Sequence, residues 1–257
     1  MPFRLIMRGV LFLSFLSCAS QKPLQVKKPK VAPQPVGVVI DSSLLAVDEK
    51  VEKDETVESI IAPLRSEMQA YTQRVVGSLQ APLTRGKPES TMGNFVTDAM
   101  MSHIKRTTGV EPDFCFTNLG GLRVDLPAGE ITAGQVTELM PFDNTIVLFK
   151  TTGKQTEDLL MRLVQRGDPV SGLRYRLPGV DFEIAQKPYD RNASYTVCTN
   201  DYLFNGGGNY PIHPETRATY TGELLRDAIQ ETFVHYGMVP VVKKDNRVLP
   251  ALPTEQP

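Results

Sequence analysis

Two neighbouring turns in the middle of this 257-residue chain carry an arginine and an aromatic ring. Arg123 follows Thr117-Asn118-Leu119-Gly120-Gly121, where paired glycines let the backbone turn sharply or approach a ligand closely. Phe142 sits in Met140-Pro141-Phe142-Asp143-Asn144. A guanidinium is permanently charged and grips anionic oxygens bidentately. An aromatic face accepts a flat group. Together they suit a small molecule with a flat apolar part and an anionic part.

Other chemistries find less support. His103, His213 and His235 are far apart and in no D-x-H, G-N-H or G-H-x-H setting, so no ligand set for a metal pair is visible. His103 reads as a surface or partly packed helical residue without a function, and His213 as a structural or solvent-facing loop residue. No nucleophile–base pair stands out. The loop at Gly120 lacks G-x-G-x-x-G spacing and is not followed at once by a helix, which excludes a dinucleotide fingerprint. A net charge of -1 argues against a nucleic-acid partner.

The elements that must position the two turns are short. Phe114–Phe116 is an apolar run of strand character entering the first turn, and Ile146–Phe149 leaves the second. A helix is expected over residues 89–107. Pro88 precedes it, Ser90 can cap it, Phe95, Val96, Ala99, Met100 and Ile104 form its stripe, and Gly109 stops it. Further helices are expected over 60–71 with Pro63 near the start, 154–166 and 222–236. Strands are expected over 72–79, 173–177, 180–184 and 195–198. Cys115 and Cys198 both lie in apolar runs, and a disulfide or two packed thiols are both open. Irregular alternation of strands and helices predicts one α+β domain, residues 59–250, with a mixed sheet packed by helices. Residues 251–257 read as a tail.

The N-terminal part reads differently. Residues 1–20 form a targeting segment: Arg4 and Arg8 precede an apolar core from Val10 to Leu16 that is too short to span a bilayer. Leu16-Ser17-Cys18-Ala19 resembles a lipoprotein processing site with Cys18 as the lipidated residue. The alternative is plain secretion with cleavage after Ser20. Residues 21–58 alternate lysines and prolines and then carry a charged run, which suits an extended tether. The expectation is an exported protein of the bacterial periplasm or outer membrane, held by a lipid anchor, or else a secreted soluble one.

The central turns also belong to a longer pattern. Glu89-Ser90-Thr91-Met92-Gly93-Asn94 with Asp98-Ala99, then Thr117 to Thr132 with its G-G-L-R and G-E-I-T runs, Pro141-Phe142-Asp143-Asn144, Ser171-Gly172-Leu173-Arg174 and Tyr202-Leu203-Phe204-Asn205-Gly206-Gly207 follow one another in order. This order resembles the C-terminal, substrate-binding domain of the 5′-nucleotidase and UDP-sugar hydrolase family, from about Ile60 to Val248. The resemblance implies the fold of that domain and a nucleotide or nucleoside ligand. It implies that Arg123 contacts phosphate, that Asn118 touches base or ribose, that the backbone of Gly120 contacts the ligand, and that Phe142 and Tyr202 stack a base between them. Each has a plainer alternative. Arg123 could pair with Asp125, Asn118 could hold its own turn, and Phe142 could plug the core beneath Pro141. Where the family has an aspartate that grips the ribose hydroxyls, this chain has Gly208, and Asn209 is the nearest substitute. Arg85 and Lys87 lie near the place of a further phosphate-binding arginine but out of register. In the family a metal pair sits on a separate N-terminal domain. The resemblance therefore implies no cofactor and no catalytic residue in this chain, and divalent metals on a partner metallophosphoesterase. The competing expectations are a stand-alone binding lipoprotein and a degenerate structural module.

Overall fold

The computed structural model describes residues 52–213 and 215–252. The targeting segment with Cys18, most of the tether and most of the tail therefore lie outside the described residues. In chain order the described elements begin with α1 (Glu55–Thr72), β1 (Val75–Leu79), α2 (Thr91–Thr108) and β2 (Phe114–Phe116). Then come β3 (Gly129–Thr132), α3 (Ala133–Leu139), β4 (Thr145–Thr152), α4 (Gly153–Arg166), β5 (Val170–Ser171), β6 (Leu173–Arg176), β7 (Val180–Ile184) and β8 (Lys187–Pro188). The chain closes with β9 (Ser194–Asn200), α5 (Asp201–Phe204), β10 (Ala218–Leu224), α6 (Leu225–Tyr236), β11 (Met238–Val239) and β12 (Val248–Leu249).

The fold is α+β, with its strands divided among three sheets ordered β10-β4-β9-β2-β5, β11-β1-β3 and β12-β6-β7-β8. The five-stranded sheet is mixed: β2 and β9 run parallel, and its other pairings are antiparallel. The middles of its inner strands are mostly apolar because both faces are covered. Cys115, Ile146, Leu148 and Cys198 face a core shared with α2, α3 and α6. Phe114, Phe116, Phe149 and Val197 face a second core shared with α4, β6 and β7. Side chains alternate between faces along a strand, which sorts the neighbours into different cores. Cys115 and Cys198 stand opposite one another in the parallel register, fully buried, as free thiols.

The helix caps follow local chemistry. Ser90 accepts a hydrogen bond from the Gly93 amide at 3.0 Å, and Gly109 ends α2 in the left-handed region at φ 71°. α1 starts at Glu55, where the Asp54 carboxylate accepts from the Thr56 and Val57 amides. Four residues expected in the tether are thus helical. Thr132 and Gln135 form a capping box for α3, a seven-residue helix too short to show a period. The expected helix start at Gly222 is corrected: Gly222–Leu224 finish β10, an edge strand on β4, and α6 begins at Leu225.

His103 is also corrected. It is 2 % exposed, with Nε2 against the Glu223 carboxylate and Nδ1 3.1 Å from Glu231. It ties α2 to β10 and α6 and is packed more completely than the surface or partly packed residue expected.

Candidate functional site

Because β2 and β9 are parallel and β4 runs against β9, the ends of β2 and β9 and the start of β4 share one edge of the five-stranded sheet. Asn200, the last residue of β9, pairs with Ile146 at the start of β4, and its Nδ2 donates to Thr117 Oγ1 just beyond β2 at 3.1 Å. Three loops leave this edge: one after β2, one before β4 and one after β9. Every candidate binding residue lies on them. Asn118, Gly120 and Arg123 are on the first, Phe142 on the second, and Tyr202 and Asn209 on the third.

The first loop is a single 3-10 turn over Leu119–Gly121, closed by Gly121 N–H to Asn118 O at 3.0 Å. The Asn118 side chain is half-buried against this turn, since a Cβ on Gly121 would stand 3.3 Å from its amide. Arg123 is exposed. Its Nη1 donates to Gly120 O at 3.2 Å, and its backbone N–H donates to Leu139 O at 2.9 Å, which ties the first loop to the second. Asp125 does not serve Arg123. Arg85 takes it instead, through Nε at 2.8 Å, while Arg85 Nη1 donates to Arg123 O at 2.6 Å. The Arg85 guanidinium holds Asp125 below the usual carboxylate range. Among the described residues no carboxylate lies within ion-pair distance of Arg123.

The second loop is held from α6: Arg226 reaches Asp143 Oδ1 at 2.7 Å and Met140 O at 3.4 Å. Phe142 does not plug the core; it is 42 % exposed. On the third loop Asn200 caps α5 through Leu203 N–H at 3.0 Å, and Tyr202 is 52 % exposed. Its ring lies on the backbone of Gly207, where a Cβ would meet Tyr202 Cζ at 2.5 Å. Gly208 has φ 69°, and a Cβ there would stand 2.9 Å from the Tyr210 ring. Asn209 follows, exposed, at φ 53°.

Residues that sequence reasoning missed join the first loop to the third. Asp168, 2 % exposed, accepts from Leu119 N–H at 2.9 Å, from Arg166 Nε at 2.6 Å and from the Tyr210 phenol. Arg162 Nη2 donates to Gly208 O at 3.0 Å. Burial and the hydrogen bond to Asp168 push the Tyr210 phenol well above its ordinary value. The only hint in the sequence is the placement of Asp168 between Gly167, which stops α4, and Pro169.

An open groove of about 880 Å³ lies elsewhere, at the other end of β2, lined by Glu111, Asp113, Arg174 and Arg247 among others. It holds none of the candidate residues. Its cations are already paired, Arg247 with Asp98 at 2.6 Å and with Asp245 at 2.8 Å, and Arg174 with Glu183 at 3.6 Å. Among the described residues no cluster of three or more His, Cys, Asp or Glu could hold a metal ion. His213 pairs with Glu215 on an exposed loop and His235 packs on Tyr236. These residues do not fit a dinuclear metal centre.

A family model described as "5'-nucleotidase, C-terminal domain" matches residues 72–215, which include every candidate binding residue. The trifunctional nucleotide phosphoesterase protein YfkN of Bacillus subtilis is 26% identical over 198 residues, covering 67% of this chain and 13% of that protein. The cell wall protein Lmo0130 of Listeria monocytogenes is 27% identical over 187 residues, covering 62% of this chain and 23% of that protein. The crystal structure of a 5'-nucleotidase precursor from Thermus thermophilus superposes with a TM-score of 0.66 at 25% identity, over 80% of this chain and 44% of that one. The chain spans less than half the length of each.

Proposed function

The chain belongs to the family of 5′-nucleotidase C-terminal domains, and from that membership we propose that it is an exported nucleotide-binding domain. On this reading it supplies substrate contacts to a metallophosphoesterase on a separate chain. What supports it is the edge formed by β2, β4 and β9: a guanidinium without a carboxylate partner among the described residues and two exposed rings stand on three loops fastened to one another. Arg123 holds the phosphate. Phe142 and Tyr202 stack the base, and the turn of Asn118 and Gly120 presents backbone groups to it. A metal pair, where present, polarises the phosphate and activates water; no step of that kind is assigned to residues of this chain. Export is in keeping with a relative named as a cell wall protein, and no described helix is long and apolar enough to cross a membrane. Lipid attachment at Cys18 is the proposed anchor. Cys18→Ala is then expected to move the protein from the membrane to the soluble fraction, and unchanged fractionation speaks for simple secretion.

One observation favours a second reading, a binding protein acting without chemistry. By the resemblance Gly208 takes the place of the family's ribose-gripping aspartate, and a Cβ on Gly208 would stand 2.9 Å from the Tyr210 ring.

Calorimetric titration with AMP and adenosine separates the contacts. Phe142→Ala removes a stacking face and is expected to weaken both ligands by ~1–3 kcal/mol. Arg123→Ala removes a charge-assisted bond, so it weakens AMP alone, and less so as salt rises. Equal losses for both ligands from Arg123→Ala would make it a structural residue. No binding of either ligand by the wild-type domain would leave the structural module as the better account.

A further inference from the structure

α1 carries an apolar stripe that, from Val57 to Met68, nothing among the described residues covers. Val57, Ile61, Leu64, Met68 and Tyr71 recur at alternating steps of four and three, the spacing of a coiled-coil seam. Val57, Leu64 and Met68 are 52, 58 and 59 % exposed, and no residue of the helix is buried. Only its last turn is fastened: Tyr71 Oη accepts from Gln230 Nε2 at 2.7 Å, and the Thr72 carbonyl packs on Gly134. The stripe belongs to the folded unit that starts at Lys53, so it is a property of the domain.

The residues flanking the seam indicate what covers it. In heptad terms Ile61 and Met68 are a, and Val57, Leu64 and Tyr71 are d. That places Glu58 and Arg65 at e, and Ile60 and Glu67 at g. Glu58 and Arg65 already touch within one helix at 2.5 Å, so both lie along the same border of the stripe. Two copies running antiparallel set e against e. With Ile61 opposite Leu64 of the second copy, Val57 falls opposite Met68 and Glu58 opposite Arg65, each contact occurring twice by symmetry. Running parallel, e faces g instead. Arg65 then meets Ile60 and Thr72 meets Glu67, and the remaining pair, Lys53 with Glu58, falls where Lys53 precedes the helix.

We propose that α1 is a self-association element through which two copies of this chain pair as antiparallel helices about Ile61 and Leu64. This goes beyond nucleotide binding and does not rest on it. A contact of two such helices is smaller than the roughly 1,200 Å² of a standard interface, so the dimer is expected to dissociate on dilution.

Sedimentation of the purified chain over a range of micromolar concentrations tests this. The wild type should pass from monomer to dimer. Leu64→Lys should stay monomeric throughout with an unchanged melting curve, because Leu64 is exposed in the single chain. Glu58→Arg and Arg65→Glu, which place like charges opposite one another, should each weaken association. An equimolar mixture of the two variants should recover it as a heterodimer. A monomeric wild type overturns the proposal, and so does a dimer that survives Leu64→Lys. A monomer whose α1 amides resist hydrogen exchange also overturns it and assigns the stripe to another segment of the chain. Failure of the mixture to recover association overturns the antiparallel register.

Discussion

Gly207 decides where the ring of Tyr202 can lie. The ring rests on that glycine's backbone, and a Cβ there would meet Tyr202 Cζ and the Tyr202 carbonyl at 2.5 Å each. Gly207→Ala must therefore displace the ring or the loop. If Tyr202 is a stacking face, this change is expected to weaken AMP and adenosine equally, by ~1–3 kcal/mol, as loss of one stacked base does. Calorimetry on the variant checks it, and unaltered affinity for both ligands would remove Tyr202 from the site. At this level the residue types were informative. Arg123 and Phe142 could be picked out because a guanidinium and a ring on glycine- and proline-marked turns have few structural uses. The partner of Asp125 could not be read. Arg123 is two residues from it in sequence, but Arg85 reaches it across the isolated bridge between Leu83 and Leu126.

The loops are held by elements rather than by their own residues. α4 ends at Gly167, which delivers Asp168 into the second core beneath two loops at once. Burial above all raises the affinity of the Tyr210 phenol for its proton, and the hydrogen bond it donates to that carboxylate raises it further. Tyr175, buried in the same core, is pushed up to about 12, chiefly by burial and then by Asp168. Both phenols titrate near 10 in an unfolded chain. Their folded values are raised, so the stability they contribute is fully present below pH 10 and is lost as pH climbs towards 12 and beyond. Alkaline titration should show tyrosinate absorbance from these two residues rising together with loss of the far-ultraviolet dichroism. Ionisation of all tyrosines near pH 10 in a chain that stays folded would contradict this. The strands β2, β4 and β9 were legible because their middle residues, buried on both faces, are mostly apolar. β10 was not, since Ala218–Leu224 is an edge strand with exposed Thr219 and Tyr220 and a glycine at φ 77°, and its end was absorbed into the helix that follows. The full burial of His103 is hidden for a related reason. Its carboxylate partners lie 120 and 128 residues further on, and no local pattern announces them.

For the molecule as a whole, the candidate residues share one edge only because β2 and β9 run parallel while β4 runs against β9. That topology gathers residues from positions 118 to 209 on one edge, and neither periodicity nor spacing contains it. Only the order of the motifs hinted at it, through resemblance to a domain that already has the arrangement. The groove at the other end of β2 is the natural competitor for any ligand, being open and about 880 Å³ in volume. The two locations can be told apart without a variant. Titrating the isotopically labelled chain with AMP and following backbone amide shifts should move Gly120, Gly121, Arg123, Phe142, Tyr202 and Asn209 together. Gly172, Arg174 and Ala185 should stay still. Shifts confined to the groove by Arg174, or no shifts at high ligand concentration, would contradict a nucleotide site on the edge of β2, β4 and β9.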